Sequence, residues 1–184
     1  MSNHKVITVG RETYAVAERL ASNIENQSVA AYVASLIADR GLTAALGGKR
    51  PQQLLPRAAF DAAQFLAPPH WFLETSQVAI VDGKEVRGKF VQIGLDREWD
   101  NVLHVSVNDA LEFAEDLRSV ARYGGKATLK SLFPSISANL TASRKGNGIR
   151  FQFEGDETAR STLTTAFAEV AATAIECIAF AIKG

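Results

Sequence analysis

The sequence predicts an α+β chain, on three observations. A short β-branched run leads into two helical patterns at the N-terminus, a middle section alternates strand-like segments with Gly- and Asn-containing turns, and two long helical stripes each follow such strands. With 184 residues, 47% of them hydrophobic and 22% charged, the composition is that of a folded protein with room for one large domain or a small module joined to a medium one. The expected layout is a module over residues 1–46, a linker over 47–58, and an α+β domain over 59–184 in which an antiparallel sheet packs with two main helices.

Lys5-Val6-Ile7-Thr8-Val9, ended by Gly10, reads as one strand because β-branched side chains suit a pleated surface. A helix over residues 12–25 then places Ala17, Leu20, Ala21 and Ile24 on one face, and Asn26 tolerates the left-handed conformation that closes a helix. Ser28 is positioned to N-cap a second helix, where Val29, Val33, Leu36 and Ile37 recur at helical spacing up to Gly41. Gly47-Gly48-Lys49-Arg50-Pro51 and Pro56 mark the linker, a short helix is expected over 58–66, and Pro68-Pro69 closes it.

Strands are expected over 77–81, 86–95 and 102–107, with a turn at Asp82-Gly83-Lys84 between the first two. Asn108 is the expected cap of a helix whose stripe is Leu111, Phe113, Ala114, Leu117, Val120 and Ala121, ended by Gly124-Gly125. A strand over 136–143, a hairpin turn at Lys145-Gly146-Asn147-Gly148, a strand over 149–154 and a long helix from Glu157 behind Asp156 complete the chain. Strand pair, cap and Ala-rich helix therefore occur twice, an order that a diverged duplication and two ordinary α+β units would both produce.

Twenty basic and twenty acidic residues leave no net charge, so any affinity for a polyanion must come from a local patch. Residues 1–58 carry seven basic against four acidic residues, a mild positive bias balanced by the remainder. The single cysteine, Cys177, excludes an intramolecular disulfide. No N-terminal stretch has the order of a signal peptide, so a reducing cytoplasm is the expected address. The apolar run 165–182 contains Glu169 and Glu176 and is expected to be a buried helix with no membrane contact.

Catalytic and metal chemistry is not visible. His4, His70 and His104 are far apart and lack ligand spacing with Cys177 or a carboxylate, so neither a metal nor a cofactor is expected. Gly47-Gly48-Lys49-Arg50 fails as a phosphate loop, since Thr43 and Arg50 stand where the motif requires Gly and Ser or Thr. Asp96, Glu98 and Asp100 around Trp99 read as a solvated turn more readily than as a cation site. His70-Trp71-Phe72 is either an aromatic partner-binding spot or a packed junction, with packing the commoner outcome.

The order strand, helix, tight turn, helix within Lys5 to Leu42 resembles the ribbon-helix-helix family of DNA-binding modules, to which the Arc and Met repressors belong. The resemblance is carried by Ile7-Thr8-Val9 running into Gly10-Arg11-Glu12, although the family often has Pro at that glycine, and by Asn26-Gln27-Ser28-Val29 at the inter-helix turn. It implies that two copies pair their strands into a ribbon, which also relieves a segment too small to bury a core alone. By position it implies DNA contacts from His4, Lys5, Val6 and Thr8 in the major groove, phosphate on the amides after Ser28, and backbone contacts from Lys49 and Arg50.

The leading expectation is a dimeric DNA-binding regulator or accessory factor, not an enzyme, whose domain over 59–184 oligomerises, senses or recruits. The alternative is a protein-interaction or inhibitor protein in which the N-terminal module only dimerises the chain and the larger domain binds a protein near Trp71, Phe72 or Trp99.

Overall fold

Alternating apolar and polar residues build two antiparallel sheets, and the longest apolar stripes build the helices that cover them. The computed structural model describes residues 14, 17–18, 20–21, 28–95, 102–155 and 160–183. Tyr14, Ala17, Glu18, Leu20 and Ala21 are helical. There follow α1 (Val29–Leu46), a 3₁₀ turn (Pro51–Gln53), α2 (Pro56–Leu66), β1 (Phe72–Val81), β2 (Lys84–Gly94), β3 (Leu103–Val105), α3 (Val107–Tyr123), β4 (Lys126–Leu129), β5 (Leu140–Lys145), β6 (Gly148–Phe153), β7 (Arg160–Thr164) and α4 (Thr165–Lys183).

The first sheet has the order β1-β2-β3 and the second β4-β5-β6-β7, with every neighbouring pair antiparallel. Each is built around tight hairpins. Between β1 and β2, Asp82 and Gly83 both take positive φ, 50° and 74°, the requirement of the two-residue turn whose twist matches its strands. The inward faces pair Leu73 with Ile93 and Val91 with Val105 in the first sheet, and align Leu140 with Phe153 and Ala142 with Phe151 in the second. These side chains join Phe113 and Leu117 of α3 and Ile175 and Ile178 of α4 in one continuous core. Helix α4 lies at its centre, packing against α1, α2 and α3.

The recurring order expected from the sequence is present in a fuller form. A three-stranded meander, β1-β2-β3 or β5-β6-β7, leads directly into a helix in both halves, and β4 adds a fourth strand to the second. The caps correspond too. Ser106 Oγ accepts from the Asp109 N–H at 3.1 Å, and Thr164 Oγ1 accepts from the Phe167 N–H at 3.3 Å, each three residues ahead. Arg118 of α3 donates to both carboxylate oxygens of Glu176 on α4, at 2.6 and 2.7 Å, and to Thr173 Oγ1 at 3.1 Å, fixing the two helices in register.

Several elements differ from expectation for identifiable reasons. The second N-terminal helix continues through Gly41 to Leu46, because Leu42, Ala45 and Leu46 pack against the core and offset the roughly 1 kcal/mol cost of an interior glycine. It ends at Gly47, whose φ of 56° is left-handed. The cap of α3 is Ser106 and not Asn108, which is exposed in the first turn. Residues 160–164, expected to be helical, form β7, because they pair with β6 from Gly148 to Gln152. A Cβ at Gly148 would lie 3.0 Å from the Leu163 carbonyl oxygen, so glycine permits that approach. Residues 47–58, read as a linker, hold the Gly47-Gly48 turn, the 3₁₀ turn with Pro51 buried, and the start of α2. The capping position Asp156 and the expected helix start at Glu157 lie outside the described residues.

Candidate nucleic-acid interface

Helix α1 and the helical residues Tyr14, Ala17, Glu18, Leu20 and Ala21 are the described part of the N-terminal module. Ser28 caps α1 as expected, its side chain accepting from the Ala31 N–H at 3.2 Å and so occupying one of the first-turn amides that an anion would otherwise meet. His4, Lys5, Val6 and Thr8 lie outside the described residues. Lys49 and Arg50 are exposed beyond the other end of α1, where the Arg50 backbone N–H donates to Gln53 Oε1 at 2.8 Å. An 18-residue helix spans about 27 Å, so Ser28 and the Lys49-Arg50 pair sit at opposite ends of a rod and do not form one phosphate-binding surface within a single copy.

The sides of α1 divide by use. Ala38, Leu42, Ala45 and Leu46 face the core. Val33, Leu36 and Ile37 lie on another side of the helix and remain 39%, 46% and 51% exposed. Tyr14 and Leu20 of the preceding helical residues are exposed as well, whereas Ala21 is fully buried. Tyr14 was not singled out by its sequence context, although it stands three residues before Ala17 and seven before Ala21, the spacing of one helical face.

The aromatic junction at residues 70–72 is a packed one. Trp71 is buried, its ring edge-on to Phe151 at 4.8 Å and its Nε1–H donating to Ser161 Oγ at 3.0 Å, so it ties the entry of β1 to the second sheet. That position is closed to a partner protein, which removes Trp71 from the surface considered for the alternative function. Trp99 and the acidic residues around it lie outside the described residues.

His104 is paired across the strands. Its Nε2 lies 2.8 Å from Gln92 Nε2, its register neighbour, and its ring packs edge-on against Phe90 and Phe133. Burial pushes the imidazole below its ordinary range, an effect partly offset by the Val102 backbone. Phe90 also covers Gly88, where a Cβ would come within 2.5 Å of the ring. The segment after β4 closes over this cluster, with the Leu132 N–H donating to the His104 carbonyl at 2.9 Å. It is an aromatic seal on the outer side of the first sheet. Among the described residues no group of three His, Cys, Asp or Glu is placed to hold a metal ion. Compared with protein-family models, with curated proteins and with solved structures, the chain matches none of them.

Proposed function

We propose that the protein is a dimeric DNA-binding regulator or accessory factor in which α1 lies between two copies and the N-terminal segment meets the DNA. The observation that carries this reading is the exposed row Val33, Leu36 and Ile37 on a helix whose other side is already docked. A contiguous apolar row of this kind is costly in water and is the usual mark of an interaction surface. A second copy is the favoured occupant because the strand-helix-helix order of residues 5–42 resembles a module that exists only as an interlocked pair, related by a two-fold axis that makes the face self-complementary. In that arrangement the two helix starts at Ser28 would flank the paired strands, each offering amides to a phosphate.

The test combines mass and binding. The full chain should sediment as a dimer at micromolar concentration, and Leu36→Glu with Ile37→Glu should convert it to a folded monomer. Binding to duplex fragments from its own genomic neighbourhood should weaken with salt and should fall in the monomeric variant and in Lys5→Ala with Thr8→Ala. A native chain that stays monomeric at high micromolar concentration would overturn the reading.

A further inference from the structure

We infer that the outer face of the four-stranded sheet is a second contact surface for the phosphodiester backbone of duplex DNA, distinct from the N-terminal segment. Strand register places Lys126, Ser143, Arg150 and Thr162 in one row across β4, β5, β6 and β7. Lys145 lies two residues along β5 from Ser143 on the same side, and Thr128 two residues along β4 from Lys126. Their neighbours Ala127, Ala142, Ile149 and Phe151 point the other way, into the core under α3 and α4, while on the outer face Lys126, Thr128, Lys145 and Thr162 are exposed and Ser143 and Arg150 half-buried.

Three properties of that face select its ligand. The four strands contain no acidic residue, and among the described residues Lys126, Lys145 and Arg150 make no ion pair. By contrast Arg57, Arg87, Arg118 and Arg122 all do, and Arg144 is used to cap the carbonyls of Ala121 and Arg122. Asp109, Glu112, Glu115 and Asp116 are exposed on α3, and Glu154, at the edge of this face just beyond β6, is engaged by the Asn139 side-chain amide at 2.9 Å. Lys126, Lys145 and Arg150 thus form a local excess of positive charge on a chain with no net charge.

Spacing and chemistry favour duplex DNA over other anions. Adjacent strands are about 4.8 Å apart, which puts Lys126 and Arg150 about 10 Å from each other, comparable with two or three steps of about 3.4 Å along one DNA strand. Ser143, Thr128 and Thr162 supply short hydroxyl donors between the cations, the side chains that accompany Lys and Arg at phosphates. The strands' outward positions hold no aromatic residue on which an unstacked base could lie, which disfavours single strands. They also lack the apolar anchors that protein interfaces and membrane-inserting surfaces use. Such a face holds backbone without reading sequence.

The experiment measures binding of the full chain to a random-sequence 30-base-pair duplex over a salt series. It compares the native protein with Lys126→Ala/Lys145→Ala/Arg150→Ala and with Lys5→Ala/Thr8→Ala. Removing three phosphate contacts should lower the slope of log affinity against log salt by about 2.7 and weaken binding at least tenfold at moderate salt. Lys126→Arg/Lys145→Arg should bind like the native protein, and unchanged thermal melting of the triple variant shows that the loss is one of charge. Loss in the triple variant with the N-terminal variant unaffected supports the sheet surface while counting against the N-terminal reading. Loss only in the N-terminal variant overturns the sheet surface and leaves that reading intact. Tighter binding to phosphatidylserine vesicles, to single-stranded DNA or to polyglutamate than to the duplex also overturns it.

Discussion

Helices α1 and α4 are nearly equal in length and both apolar enough to cross a bilayer by composition, yet the protein uses them in opposite ways. In α4, 61% of the apolar window is buried, with Ile175, Ile178 and Cys177 at the centre of the core. In the span that begins with α1 only 6% is buried. Hydrophobicity alone therefore does not place a helix. Helix α4 is surrounded by three other helices and approached by both sheets, while α1 meets that core with one side of its C-terminal half. Among the described residues α1 keeps an apolar side uncovered, and Asp39 and Arg40 at its middle argue against lipid as the cover.

The contrast is breakable. Truncation inside α4 should have the largest effect: Ile175→Ala should lower stability by about 3–4 kcal/mol, read from the urea midpoint. Ile37→Ala, measured where the chain is monomeric, should cost under about 0.5 kcal/mol. Equal costs would mean that α1 is core after all. Next in size is the clamp between α3 and α4, which sharpens the picture of how α4 is held. Glu176→Ala strands Arg118 in a mostly buried setting and should cost about 2–3 kcal/mol, whereas Glu169→Ala, which removes the more exposed pair with Arg122, should cost under about 1 kcal/mol.

Thiol chemistry separates the helices without perturbing either. Burial pushes Cys177 up to about 12, so Ellman's reagent at pH 8 should label it only as fast as the protein unfolds. A cysteine from Ile37→Cys in a Cys177→Ala background should react within seconds in dilute solution and progressively slower as concentration rises and copies associate. Rapid labelling of native Cys177 would contradict its place in the core.

The smallest effect lies in the first sheet and bounds what the helices do not explain. Because burial lowers the folded-state pKa of His104, the unfolded chain binds the proton more readily. Its contribution is complete above about pH 6.5 and is lost as pH falls through the folded-state value. Stability should decline modestly on acidification from pH 7 towards 5, and His104→Gln should flatten that part of the profile. An identical profile in the variant would move the pH dependence elsewhere.

Much of the local structure was legible. The turn at Asp82-Gly83, the hairpin turn between Lys145 and Gly148, the Ser28 cap and the α3 stripe are each written within a few residues, because a cap, a left-handed turn or a helical face depends on short-range geometry. Less legible were elements defined by distant partners. Strand β4 has only four residues, too few for its alternation to stand out, and it exists because β5 pairs with it. Strand β7 adjoins the apolar run of α4, and its pairing with β6 delays the start of that helix from the expected Glu157 to Thr165.

The candidate surfaces divide in the same way. The apolar row of α1 follows from helical spacing and could be written down from residues 29–37 alone, but which side of the helix would remain exposed depended on how its C-terminal half docks. The basic row of the second sheet was illegible: Lys126 and Arg150 are far apart in the chain, and only register brings them onto one face. By itself the sequence determined the α+β class, the sites of tight turns, the helical faces and the absence of a disulfide, since composition and short-range backbone preferences suffice for these. The tertiary structure decided the division into two sheets, the burial of Trp71, the extension of α1 through Gly41 and the shared face of Lys126 and Arg150. The reason is that strand pairing and core docking are settled by contacts between distant segments, whose free energy outweighs the small local preferences at each position.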